Sequence, residues 1–374
     1  MAVRAAVSGI DWAHFERVID RHRVEGLAWE ALSRAGVQLD EAWGEGLRRA
    51  AGDVALAGLR LAAETGRLQA ALDAAGIANL VLKGATLDVL AWGRVGLKRA
   101  WDIDLLVAPA DASRARATLE AAGYALEDPA DSSEAALAAW VELAKESVFV
   151  RRSDALVVEL HWRLTDAATL LPGLGVDSPN QTVPVSGGLV LRTLADDELF
   201  AYLCVHGASH AWSRLKWLAD LAAVLARRDE AGQSRLYRRA VALGAGHCPA
   251  AALRLCETLF GLALPADIAA DLHANRKAAR LAALALEALT GGGGISEVAS
   301  RPFFTERILL SQFLFADGWR YRRAEWARQW VSLDDRMRLK LPRGLGFLYS
   351  ALRVPLLLRR RLSRWWPRRG RGRH

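Results

Sequence analysis

The sequence predicts an α+β protein: a strand-bearing central module at 77–192, helical regions at 1–76 and 193–335, and a basic tail at 336–374. Two observations carry this reading. Outside the module, apolar residues recur at helical spacing in Ala-, Leu- and Arg-rich sequence with scarcely a strand signal. Inside it, short β-rich runs alternate with helical stretches, the pattern of a sheet with helices packed against it.

In chain order, the first region reads as helices near 11–34, 40–51 and 53–75, with Gly36 and Gly52 as punctuation. Strands are expected at Asn79–Leu82, Asp102–Val107, Ser147–Arg151, Leu156–Trp162, Thr182–Val185 and Leu189–Leu191. Helices are expected at Thr86–Trp92, Asp111–Ala122 and Ser132–Ala144. They resume from Ala195 to about Leu289, with one helix over His206–Leu221. The glycines at 291–294 read as a flexible break before a last helical segment at 302–332. No internal repeat is visible, and the Arg-rich end from Arg359 is low in complexity.

At 374 residues the chain can bury two or three cores, and 52% hydrophobic with 25% charged residues excludes wholesale disorder. Cys204, Cys248 and Cys256 lie in apolar helical stretches without CxxC spacing, which predicts buried thiols of a reducing compartment, not a disulfide framework. No apolar leader core and no 18-residue apolar window occur, so a cytoplasmic location is expected. The net charge of +8 hides an asymmetry. Residues 336–374 hold twelve Arg, one Lys and no acid, which leaves the rest of the chain net acidic. Arginines interleaved with Trp365 and Trp366 fit either weak peripheral contact with an anionic membrane or a simply solvated tail, both ahead of nucleic acid.

The chemistry is concentrated in the central module. Asp102-Ile103-Asp104-Leu105-Leu106-Val107 sets two carboxylates at i and i+2 of an apolar strand, on one face and about 6–7 Å apart. Like charges there repel, and burying one unpaired costs several kcal/mol, so a divalent cation is the natural partner. In Leu156–Trp162 the same alternation places Val157, Glu159 and His161 on one face, so Glu159 is a third mid-strand carboxylate. Asp102, Asp104 and Glu159 could together hold two magnesium ions, the arrangement of in-line phosphoryl or nucleotidyl transfer.

Upstream, Lys83-Gly84-Ala85 ends a strand and opens a helix. Glycine lets backbone approach a phosphate, and the helix N-terminus offers it free N–H groups. Lys83 adds a point charge, with Lys98 and Arg99 placed to assist. His161 could position a phosphate or acceptor, or pack on Trp162. His206 and His210 stand at i, i+4 without a third metal ligand. With Trp212, Lys216 and Asp220 they are expected to line a substrate cleft, although Lys216 and Asp220 could pair with each other.

LKGA, then Lys98 four residues before DIDLLV, then VELHW, resembles the family described as uncharacterised nucleotidyltransferases, of the polymerase-β-like superfamily. HGASHAWSRLKWLADL and LPRGLGFLYSALRVP extend the similarity over about 50–355. The resemblance implies a nucleotidyltransferase-like mixed sheet with helices on one face, Asp102 and Asp104 as the metal pair, and Glu159 as the third carboxylate. It implies LKGA as counterpart of the superfamily's Gly-Ser turn, here with Ala85 and no hydroxyl for the phosphate.

The expected activity is magnesium-dependent transfer of a nucleoside monophosphate from a nucleoside triphosphate to an acceptor on a small molecule, peptide or protein. Lys83, Gly84, Ala85, Lys98, Arg99, His161 and Lys216 are the expected nucleotide contacts. The rival is a non-catalytic module of the same fold that binds nucleotide or docks on a partner. A nucleic-acid-modifying enzyme is the weaker third reading.

Overall fold

The computed structural model describes residues 9–131, 133–290 and 304–330, so the basic tail and the glycines at 291–294 lie outside the described residues. Three helices open the chain: α1 (Trp12–His22), α2 (Glu25–Arg34) and α3 (Glu41–Ala74). Asp11 caps α1 by accepting from the His14 N–H, and Asp40 caps α3 through Ala42. The single helix expected over 11–34 is two, because Arg23 turns left-handed at φ 59°. That turn brings Gly26 against the backbone of Leu97, whose carbonyl accepts from the Leu27 N–H.

The two helices expected at 40–51 and 53–75 are instead one, running straight through Gly52. A lone helical glycine costs about 1 kcal/mol. Continuity buries Leu47, Val54, Leu61, Leu68 and Leu72 along one side, which outweighs that penalty. At Gly58 the helix meets Gly96 so closely that a Cβ would stand 2.8 Å from the Gly96 Cα.

The central module runs β1 (Asn79–Val81), α4 (Ala85–Trp92), β2 (Asp102–Val107), α5 (Ala112–Ala121), β3 (Ala125–Asp128), α6 (Glu134–Leu143), β4 (Glu146–Arg151), β5 (Leu156–His161), β6 (Asn180–Pro184) and β7 (Val190–Leu194). The strands at 102–107 and 156–161 stand where alternation places them. β3, a short and largely exposed edge strand, is one the pattern does not predict. Five strands form a sheet in the order β1-β2-β5-β4-β3, with β2 and β5 parallel and the other pairs antiparallel. β6 and β7 form a separate hairpin beside α3, where Gln69 bonds the backbone of Val190 and Arg192.

One face of the sheet, with Val81, Ile103, Leu105, Phe149, Val158 and Leu160, packs on Leu61, Leu68 and Leu72 of α3 and Leu119 of α5. The other face carries the carboxylates and meets the helices that follow: α7 (Asp196–Ser209), α8 (Leu215–Ala226), α9 (Glu230–Ala242), α10 (Cys248–Phe260), α11 (Ala266–Ala274) and α12 (Arg276–Thr290). α13 (Phe304–Ser311) and α14 (Trp319–Trp330) complete the described chain. Cys204, Cys248 and Cys256 are free thiols within this helical core. Among the described residues no helix is long and apolar enough to cross a membrane.

Candidate active site

Parallel pairing of β2 with β5 sets Asp104 directly opposite Glu159 and Leu106 opposite His161, and antiparallel β4 sets Glu146 opposite His161. Partners in register share a face, so Asp102, Asp104, Glu159, His161 and Glu146 form one polar patch on three adjacent strands. One ligand atom each of Asp104, Glu159 and His161 lies within 4.8 Å of the others. His161 Nε2 stands 3.2 Å from Asp104 Oδ1 and 3.6 Å from Glu159 Oε2. Its Nδ1 is 3.0 Å from Glu146 Oε2 at an angle that makes no hydrogen bond. Lys83 reaches in from the end of β1, its Nζ 3.0 Å from Asp104 Oδ1 and 3.9 Å from Asp102 Oδ2.

Glu146 is the member that sequence reasoning missed. Placing the strand start at Ser147 left it in a turn, and only the β4–β5 register brings it over His161.

Four carboxylates here face two ammonium groups, those of Lys83 and Lys145. Burial alone would raise Asp104, but Lys83 and then His161 hold its carboxyl well below the usual range. Burial would likewise lower His161, yet hydrogen bonding to Asp104 and Glu159 wins and the imidazole is pushed up. Glu159 is raised, by burial first and by the Asp104 charge. The carboxylate oxygens of Asp102, Asp104 and Glu159, gathered on one face, fit a hard divalent cation.

Beside the carboxylates, Gly84 caps α4 with φ 72°, a left-handed conformation that glycine takes without strain. A Cβ there would meet nothing within 4 Å, so open space lies next to the turn. Lys83, Gly84, Asp102, Asp104, His206 and Lys216 line a cleft of about 90 Å³. In its roof His206 Nε2 is buried with no hydrogen-bond partner among the described residues, as is the Tyr202 hydroxyl one turn earlier on α7.

The helix expected over His206–Leu221 is broken between α7 and α8. Ala211 and Trp212 adopt φ 49° and 41°, and the Trp212 indole folds under Gly207, where a Cβ would sit 2.2 Å from Nε1. His206 and His210 stay adjacent, ring centroids 4.9 Å apart, and both rings contact Trp217.

A family model described as "Uncharacterised nucleotidyltransferase" matches residues 8–261, more than half of the chain. The chain belongs to this family. No curated protein matches it. The matched stretch holds the Lys83–Ala85 turn, every carboxylate of the patch, and α7 and α8 above them.

The other cations expected at the nucleotide, Lys98, Arg99 and Lys216, are already engaged. Lys98 is buried between Asp88 and Asp220, its Nζ 2.7 Å from each. Asp220 therefore pairs with Lys98, not with Lys216. Arg99 pairs with Asp20 and Glu25. Lys216 donates to the Arg99 carbonyl, and burial with the nearby Arg23 charge lowers its amine to about 7. Arg99 also borders a second cavity of about 280 Å³, walled by Trp12, Phe15, Leu39, Trp43 and Leu47.

His22 joins the N-terminal helices to the roof, its Nδ1 accepting from the Leu215 N–H at 3.1 Å. Burial first, then the charges of Arg21 and Arg214, lower its pKa to about 4 from an ordinary 6.5. Below about pH 6.5 the unfolded chain therefore binds a proton that the folded chain refuses until about pH 4. Stability should fall with pH across that window. His22→Gln should lessen the drop, read as thermal midpoints of both proteins from pH 7 to 4.

Proposed function

We infer that this chain is a magnesium-dependent nucleotidyltransferase that moves a nucleoside monophosphate from a nucleoside triphosphate to a hydroxyl or phosphate of a small molecule, peptide or protein. The observation carrying this reading is the convergence of Asp102, Asp104 and Glu159, from two parallel strands, beside the Lys83-Gly84 turn. Those three carboxylates would hold the magnesium ions. Magnesium, when bound, neutralises phosphate charge and acidifies the attacking hydroxyl.

The acceptor oxygen bonds to the α-phosphorus while the bond from that phosphorus to the bridging oxygen breaks, releasing pyrophosphate. Glu159 takes the proton when the acceptor is a hydroxyl. The first N–H groups of α4 and the Lys83 ammonium hold the triphosphate. His206 lines the cleft with an unused ring nitrogen and orients the substrate from above. The enclosed part of the cleft, about 90 Å³, is of a size to seat phosphate, and the rest of a nucleotide would extend from it. The aromatic cavity beyond Arg99 is of a size to seat the acceptor's apolar part. Free, buried thiols are in keeping with a cytoplasmic enzyme.

One observation favours the non-catalytic rival: the Lys83 ammonium already stands 3.0 Å from Asp104 and 3.9 Å from Asp102, where it competes with a metal for the pair. Pyrophosphate release from each nucleoside triphosphate, with pooled acceptors, separates the readings. Transfer is expected only with magnesium and should stop on chelation. Nucleotide binding that ignores magnesium, with no pyrophosphate released, would establish the rival.

A further inference from the structure

Helix α14 is inverted. Its buried side carries Tyr321, Glu325 and Arg328, with the Tyr321 hydroxyl donating to the Gln312 carbonyl and Arg328 pairing Glu325. Its outer side carries tryptophans at i, i+7 and i+11. Trp319 is 66% and Trp326 52% exposed, and Trp330 stacks on Trp326 with ring centroids 5.1 Å apart. Gln329 bonds the Leu309 carbonyl, which sets the end of α13 alongside and adds Leu310, 63% exposed. A soluble helix normally turns such a stripe inward.

Charge selects what this face meets. Arg320, Arg322 and Arg323 stand exposed among the tryptophans, and the one acid of the helix, Glu325, is buried against Arg328. The chain beyond 335 continues the bias with twelve more Arg and no acid. Indole rings settle at the boundary of acyl chains and headgroups, and guanidinium groups pair with anionic phosphate there. We propose that the outer face of α13 and α14 docks on the surface of an anionic phospholipid bilayer. The face lies outside the carboxylate cleft, so docking is independent of the reaction proposed above.

Flotation of the full-length protein with vesicles tests this. Equimolar phosphatidylcholine and phosphatidylglycerol should carry the protein upward with a blue shift in tryptophan emission, and pure phosphatidylcholine should not. Arginines near an anionic surface are each worth about fivefold in partitioning, so Arg320→Glu with Arg322→Glu and Arg323→Glu should weaken binding by about a hundredfold or more. Leu310→Ser with Trp319→Ser and Trp326→Ser should remove the emission shift and weaken binding at least tenfold. These side chains are exposed, and an unchanged circular dichroism melt confirms the fold of each variant. Undiminished binding by the Leu/Trp variant would show that the tail alone suffices and overturn the proposal. Absence of flotation, or tighter binding to poly(U) than to the anionic vesicle, overturns it equally.

Discussion

Lys98→Met should destabilise the protein by about 3–5 kcal/mol, the loss that follows removal of one partner from a buried ion pair. Lys98 is only 7% exposed and holds two carboxylates at 2.7 Å. Asp88 also accepts from the Gly96 N–H at 3.2 Å, and Asp220 from the Trp92 indole at 2.8 Å. Neither bond replaces an ammonium charge. Without it, two buried anions face each other between α4 and α8. Burial already raises the Asp220 carboxyl, so the variant should recover part of its loss as pH falls and that group takes a proton. Asp220→Asn added to Lys98→Met should restore stability, since one anion is then gone. Urea midpoints of the three proteins check this. A loss below about 1 kcal/mol, the range of exposed pairs, would mean that water reaches the site.

Asp104→Asn should lower the rate of pyrophosphate release by about a thousandfold or more, the loss of several kcal/mol of charge stabilisation at the phosphates. The amide keeps the shape of the side chain but removes a carboxylate oxygen that now faces both Lys83 and His161. Asp102→Asn added to it should abolish magnesium-dependent nucleotide binding, measured by isothermal titration. Circular dichroism must show an unchanged fold, because Lys83 loses its nearest counter-ion in both variants. Activity equal to the parent's would sink the assignment of this face to catalysis.

The strands that bear the chemistry were legible because local pattern and tertiary context agree there. Leu105, Leu106 and Val107 after the aspartates read as a buried strand, and alternation then puts Asp102 and Asp104 on the face of Leu106, opposite Ile103, Leu105 and Val107. Glu159 and His161 follow by the same rule. Glu146 was hidden because a carboxylate beside Lys145 at a strand start reads as a solvated pair, and its place over His161 depends on register. The engagement of Lys98 was hidden for a related reason. Its partner Asp220 lies 122 residues away, and no local pattern reports where an ammonium finds its counter-ion. The break at Ala211 and Trp212 defeated periodicity, because a tryptophan folding back under Gly207 is a packing decision made against helix propensity.

Asp104 and His161 are 57 residues apart and meet only through the parallel pairing of β2 with β5. Parallel pairing requires a long crossover, so that closure is among the slower contacts of the folding chain. During synthesis, β2 alone leaves two aspartates without Glu159 or His161 beside them. The carboxylate face is therefore completed only when β5 docks, on a sheet edge that β1, Lys83 and β2 have already laid down.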